Sequence, residues 1–192
     1  MNENKKLLKV NCNWFSENTK GLTSQNGSWV GHLVQTPDGK LIGYAIDAGH
    51  NEPTHALAGI LSSGEGITLT KIRIKDSSFD PIYFDAFANE ESAPNTYYGQ
   101  FSAATLFQVI PMGLTSVEVS EQTKNEQKMQ DIETKFEEYQ SKINANSVFH
   151  GYILNETLHQ DIDYAKKQIT ETKEAVFDDP LPDILKSQNQ PS

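Results

Sequence analysis

Short apolar runs alternate with polar turn residues from about Ser28 to Val119. Successive strand residues point to opposite faces, so short alternating runs bounded by Gly, Pro, Asn or Asp are typical of β-strands. The predicted strands are 28–35, 40–47, 56–62, 67–75, 81–88, 97–103 and 107–119, the last with a break at 111–113. Seven short strands with tight connections predict an antiparallel β-barrel or sandwich.

The hydrophobic period becomes helical after Ser120. Apolar residues then recur at alternating spacings of three and four, which is the seam of a heptad repeat. We predict two long helices, from about Thr123 to Ile143 and from about Glu156 to Val176. The main seam residues are Met129, Ile132, Phe136, Tyr139, Ile143, Leu158, Ile162 and Ile169.

So narrow an apolar stripe must be covered, since helices of this length are rarely stable alone. The two helices can pair as a hairpin or with copies of the chain, and we expect burial between chains. The fold class is therefore α+β, and the helices serve as an assembly arm. The predicted divisions are an irregular lead-in at 1–27, the barrel at 28–119, the helical arm at 120–177, and a disordered acidic tail at 178–192.

A Gly-x-Trp motif at 27–29, a hairpin-like run at 38–44 and a Tyr-Gly-Gln-Phe run at 98–101 follow one another along the predicted strands. Over residues 27–105 the chain resembles calycin-type barrels, the class that includes lipocalins and avidin-like proteins. The resemblance implies a ligand pocket inside the barrel, with an arginine on a late strand packed against the tryptophan.

The chain departs from that pattern. Lipocalins are usually secreted and often disulfide-bonded, which is not expected for this chain, and Arg73 lies in the middle of the predicted barrel. Small barrels are commonly filled by side chains. Trp29 can therefore close the floor of a filled core, and this interpretation competes with a ligand pocket.

Charge and cysteine content narrow the function classes. The chain has 26 acidic and 16 basic side chains, a net charge of -10, and both parts of the sequence are acidic. Arg73 is the single arginine, so direct nucleic-acid binding is not expected. Cys12 is the single cysteine, and no apolar run is long enough for a signal-peptide core or a membrane span. We expect a cytoplasmic protein that does not contact membranes.

One cluster carries metal-ligand residue types, namely His50, Glu52 and His55. Its spacing on a turn matches no established metal motif, so we predict no metal, and the absence of nucleotide-binding loops predicts no cofactor.

Two functions remain. The favoured one is a non-catalytic binding protein that contacts a protein partner or forms a homo-oligomer through the arm. It would act as an inhibitor, an immunity or anti-defence protein, or an assembly component that masks a basic partner. The alternative is a small-molecule carrier or enzyme with a ligand pocket in the barrel mouth. Its candidate residues are the ligand-binding tyrosines Tyr44, Tyr83, Tyr97 and Tyr98, and the acid-base candidates Asp47 and Asp85.

Overall fold

A computed structural model describes residues 4–16, 25–76, 78–89 and 92–176. Within these residues the chain forms an eight-stranded barrel followed by three helices. The strands are β1 (Lys6–Ser16), β2 (Gln25–Gln35), β3 (Lys40–Asp47), β4 (His55–Ser62), β5 (Gly66–Arg73), β6 (Ile82–Ala88), β7 (Thr96–Ala104) and β8 (Val109–Gln122). The helices are α1 (Glu126–Asn146), α2 (Val148–His159) and α3 (Ile162–Val176). The predicted tail lies outside the described residues.

The barrel is a closed antiparallel meander. Each strand pairs with the next, and β8 closes the sheet by pairing with β1. The prediction of an antiparallel barrel is therefore confirmed. The expected break near Pro111 is a shift of register between Phe101 and Ser102, so that β8 continues through the proline. A proline donates no ladder hydrogen bond, which explains why it lies at an irregularity.

The N-terminal lead-in differs from the prediction, because it contains a complete strand. β1 pairs with β2 from Lys6 to Ser16 and supplies Leu8, Val10 and Cys12 to the interior. The signal was weak because Lys9, Asn11 and Asn13 occupy the outward positions. Without β1 the sheet could not close.

The second predicted helix is divided in two, and the linker before it is helical. Asn125 caps α1 by accepting a hydrogen bond from the Lys128 N–H, so the helix begins at Glu126, three residues after the predicted Thr123. Asp161 accepts a hydrogen bond from the Tyr164 N–H at 2.7 Å. This capping interaction starts α3 and separates it from α2.

The three helices pack on the outer wall of their own barrel. Met129 and Ile132 of α1 form a buried cluster with Leu7, Val34 and Tyr44. Further along, α1 and α2 cover small residues of β4, and α3 lies on β5 and β6. The seam that was predicted to be buried between chains is thus covered within one chain, because the barrel wall offers a second apolar face. An oligomer stays a prediction, which the solution mass tests.

Both faces of the central strands are consequently buried. β4 has interior residues such as Leu57 and outward residues such as Ala56 and Ala58, which lie under α1 and α2. On β5, Gly66 leaves room for Ile169 of α3, since an added Cβ would lie 2.8 Å from that side chain. This explains why alternation is weak along β4.

Candidate functional site

The interior of the barrel is an apolar core. Trp29 is 1% exposed and meets Phe84 edge-on, with ring centroids 5.2 Å apart. Phe84 in turn stacks on Phe101 at 5.8 Å. The rest of this cluster comes from the inward positions of all eight strands. An interior of this kind favours the filled-core interpretation of Trp29 over a ligand pocket.

Four ionisable side chains lie at one end of this interior, where β3, β4 and β5 meet. Lys71 Nζ is 2.6 Å from Asp47 Oδ1, and His55 Nδ1 is 3.7 Å from Asp47 Oδ2. Lys71 also lies 5.4 Å from the centre of the Trp29 ring. Arg73 completes the group and stacks on Phe79 of the following turn at 4.0 Å. We call Asp47, His55, Lys71 and Arg73 the ionic cluster.

The charges of the ionic cluster follow from burial and proximity. Burial opposes ionisation of Asp47, but the Lys71 ammonium outweighs it and holds the pKa of Asp47 below its usual value. Burial, together with Lys71, lowers the pKa of His55 to about 3, so this imidazole is neutral at pH 7. Burial likewise lowers the pKa of Lys71, opposed by Asp47. The arrangement is a buried ion pair beside a neutral histidine.

Cys12 does not provide a nucleophile to this cluster. Its burial raises the pKa of the thiol to about 12, and Sγ lies 3.2 Å from the Thr115 hydroxyl. The reactive form of cysteine is the thiolate, so a thiol with this pKa is unreactive at neutral pH.

The three candidate metal-binding residues are separated by the turn between β3 and β4. His55 points into the barrel and hydrogen-bonds Thr54 at 2.8 Å, whereas His50 and Glu52 are exposed on the turn. Among the described residues, no group of three or more His, Cys, Asp or Glu side chains is arranged to hold a metal ion. The prediction of no metal stays a prediction that elemental analysis of the purified protein tests.

The four tyrosines proposed to bind a ligand do not meet. Tyr97 points into the core, where its hydroxyl accepts a hydrogen bond from the Gly64 N–H at 3.1 Å. Tyr44 points outward beneath α1, with its ring centre 6.4 Å from that of Tyr139. Tyr83 and Tyr98 lie on the outward face of the sheet. The sheet therefore separates Tyr97 from the other three.

The most prominent exposed feature is the hairpin between β7 and β8. Its apolar side chains point into solvent, and that of Phe107 is 94% exposed. We call this surface the apolar hairpin. Its members are Leu106, Phe107, Val109, Ile110 and Met112.

The tip of the apolar hairpin is held in one conformation. The Thr105 hydroxyl donates to the Gln108 carbonyl oxygen at 2.9 Å and accepts from the N–H groups of Phe107 and Gln108. A threonine that bonds the backbone of its own turn fixes that turn locally. Leu106 and Phe107 are thus presented outward by an ordered turn.

The sequence pattern predicts a strand over this segment but did not indicate that its apolar side chains are exposed to solvent. A signal was present, because 106–112 is apolar on both strand faces. One face needs a cover, and the helices lie mainly over β3 to β6, with α3 also reaching β7.

No protein-family model, curated protein or solved structure matches this chain. In the described part of the chain, no helix is both long and apolar enough to cross a membrane.

Proposed function

We propose that this protein is a non-catalytic binding protein that docks on a protein partner through the apolar hairpin. The observation that carries the proposal is the exposure of five large apolar side chains on one ordered hairpin. Contiguous exposed apolar patches are uncommon on proteins that act alone and mark sites of interaction. Because Thr105 orders the tip, little conformational entropy is lost on docking.

The interior of the barrel supports a binding function over a carrier function. Large apolar side chains, including Trp29 and Phe84, occupy the interior positions that would face a ligand. The ionic cluster is internally paired through Asp47 and Lys71, and the Cys12 thiol is protonated. These features favour structural roles for the buried polar groups.

The charge of the chain favours a basic partner. A net charge of -10 disfavours both self-association and approach to an anionic membrane. Asp76 and Asp80 lie in the turn between β5 and β6, at the same barrel end as the apolar hairpin. The partner surface would combine an apolar pocket for Phe107 with surrounding Lys or Arg. This chemistry suits an inhibitor, an immunity or anti-defence protein, or an assembly component.

We also propose that this barrel is related to the calycin-type barrels. The closed meander and a buried Trp29 near one barrel end support a calycin-like ancestry. Lys71 lies over the tryptophan ring, but it comes from β5, whereas the resemblance implies an arginine from a late strand.

A double substitution of the hairpin tip tests the function. We expect Leu106→Ser/Phe107→Ser to weaken binding to the purified partner by at least roughly 100-fold, because buried aromatic anchors dominate interface energies. The thermal midpoint should stay within about 1 °C of wild type, since surface substitutions of exposed groups change stability little. The partner is first captured on immobilised wild-type protein, and its affinity is then measured by calorimetry with purified components.

The matched control is Val148→Ser/Tyr152→Ser, which removes two exposed apolar side chains from α2. It should leave the affinity within about twofold of wild type. Equal binding by the hairpin variant and wild type would contradict the proposal. So would an apolar hairpin that binds neutral or anionic lipid vesicles but no protein.

A further inference from the structure

A solvent-reaching cavity of about 380 Å³ lies between the barrel wall and helices α2 and α3. It is outside the barrel and separate from the apolar hairpin's tip. Its floor is the outward face of β5, β6 and β7, and its roof comes from Thr157, Gln168 and Thr172 among others. The volume falls in the range of about 300–1,000 Å³ that is typical of small-molecule sites.

The floor of the cavity is a grid of polar side chains. Thr68, Asp85 and Gln100 are direct cross-strand neighbours on three adjacent strands. Thr70, Tyr83 and Ser102 form the next row in the same way. Directly opposed residues on one face of a sheet have Cβ atoms about 4.5–5.5 Å apart, so these groups converge.

This grid departs from the rest of the covered wall. Beneath α1 and α2 the outward positions carry small or apolar residues such as Ala56, Ala58 and Ile72. Polar residues beneath a helix cost stability unless they are paired, and such departures are concentrated at functional sites.

Two groups of the grid are left without partners in the described part of the chain. The Thr68 side chain is only 6% exposed, and its hydroxyl has no hydrogen-bond partner there. Burial alone acts on the Asp85 carboxyl group, and no hydrogen bond or ion pair from the described residues reaches it. In contrast, Thr70 and Thr157 satisfy each other at 2.8 Å. The cavity therefore holds a carboxyl group and a hydroxyl group that a ligand can pair.

The charge around the cavity has one sign. Asp85 on β6, Glu156 on α2 and Glu171 on α3 line it, and no Lys, Arg or His among the described residues does. Tyr83 and Tyr164 add two aromatic rings. Carboxylates and aromatic faces both attract cations.

The titration behaviour of these groups agrees with that geometry. Burial raises the pKa of Asp85 to about 7, and no nearby cation lowers it. Burial also raises the pKa of Tyr83 to about 12, reinforced by Tyr164, Asp85 and Glu156. A cation that enters the cavity would supply the positive counter-charge that the Asp85 carboxylate lacks.

We propose that this cavity binds a small organic cation, a primary or secondary amine whose ammonium group pairs with Asp85. The ammonium donates to the carboxylate and to the Thr68 hydroxyl. The Tyr83 ring and the amide and hydroxyl groups of Gln100 and Ser102 contact the remainder of the molecule. A bare metal ion fits less well, because the described residues offer no metal-holding group and the cavity is larger than an ion needs.

The binding should depend on pH through Asp85. The other ionisable groups that face the cavity are Tyr83 on β6, Glu156 on α2, and Tyr164 and Glu171 on α3. At pH 5 the folded protein holds Asp85 protonated, so an ammonium ligand must first displace that proton. With a folded pKa of about 7, affinity should fall by roughly ten- to hundredfold between pH 8 and pH 5.

Calorimetry with putrescine, spermidine and tyramine tests the proposal, with 1,4-butanediol as the neutral control. At pH 8 at least one amine should bind the full chain, and Asp85→Asn should weaken that binding at least tenfold. The matched control Glu137→Gln changes an exposed carboxylate on α1 and should have no effect. Failure of all three amines to bind, or equal binding by Asp85→Asn, would overturn the proposal.

A carboxyl carbon-13 titration of the wild-type protein gives a second readout that does not depend on a variant. A saturating amine should lower the pKa of Asp85 by one unit or more, whereas an unchanged titration in the amine's presence would refute the pairing. Val109 of the apolar hairpin borders this cavity, but Leu106 and Phe107 at the hairpin tip do not line it. Because both readouts use the purified chain and an amine alone, their outcome is separate from the outcome of the partner-binding test.

Discussion

Trp29→Ala is expected to lower the free energy of unfolding by about 3–5 kcal/mol, the range for truncating a buried aromatic residue. The ring is 1% exposed and packs edge-on against Phe84. It also lies over Gly31, where an added Cβ would be 3.1 Å from the ring. Truncation therefore leaves a cavity in a packed core that cannot readily collapse. Urea melts of the variant and wild type at pH 7 measure the change.

Two further variants make this test specific. Phe107→Ala removes an aromatic ring that is 94% exposed, so it should cost less than about 1 kcal/mol. Trp29→Phe should cost less than the alanine variant, since within the described residues the buried Nε1 has no hydrogen-bond partner to lose. A loss below about 1 kcal/mol for Trp29→Ala would show that the barrel is not packed around this ring.

Asp47→Asn is expected to destabilise the fold by about 3–5 kcal/mol at pH 7, because it leaves the Lys71 ammonium buried without its counter-charge. Lys71 Nζ lies 2.6 Å from Asp47, and the lysine side chain is 8% exposed. The same denaturant melts measure this loss. Asp47→Leu/Lys71→Met removes both charges and should recover most of the stability, since paired removal of a buried ion pair is often neutral.

The stability cost of Asp47→Asn should change with pH in a defined direction. The folded pKa of Asp47 lies below its unfolded value, so its contribution is present above the unfolded pKa and is lost as pH falls through the folded pKa. The cost of Asp47→Asn should therefore shrink in acid. The folded pKa of Lys71 is also lowered, and the substitution removes the carboxylate that opposes this. The variant should accordingly regain stability as the pH rises above 7. A cost that is constant from pH 3 to pH 9 would contradict the ion-pair account.

The strand periodicity was sufficient to predict the barrel, with seven strands placed near their observed positions. The full length of β1 was not predicted, because Lys9 and Asn11 interrupt its apolar run, although both point outward. The division between α2 and α3 depends on one capping residue, Asp161. The position of the helices on the barrel wall was not predictable from their heptad spacing. An apolar stripe indicates that some surface must cover the helix, but it does not indicate which surface.

The functional residues were harder to predict because they depend on contacts between distant parts of the chain. Asp47 was identified only as a carboxylate, and its role depends on Lys71, which lies 24 positions away in sequence. Asp85 was named as an acid-base candidate in the barrel mouth. It instead faces outward beneath α3, beside Thr68 and Gln100. The exposure of Phe107 depends on which strands the helices leave uncovered.

Photo-crosslinking from the hairpin tip tests the proposed function most directly. The photoreactive residue p-benzoylphenylalanine would replace Phe107 in one variant and Val148 in the other, both in highly exposed positions. In extracts of the native source, position 107 should give one discrete adduct with a different protein. Position 148 should give none. Equal adducts at both positions, or an adduct only with a second copy of this chain, would contradict the account.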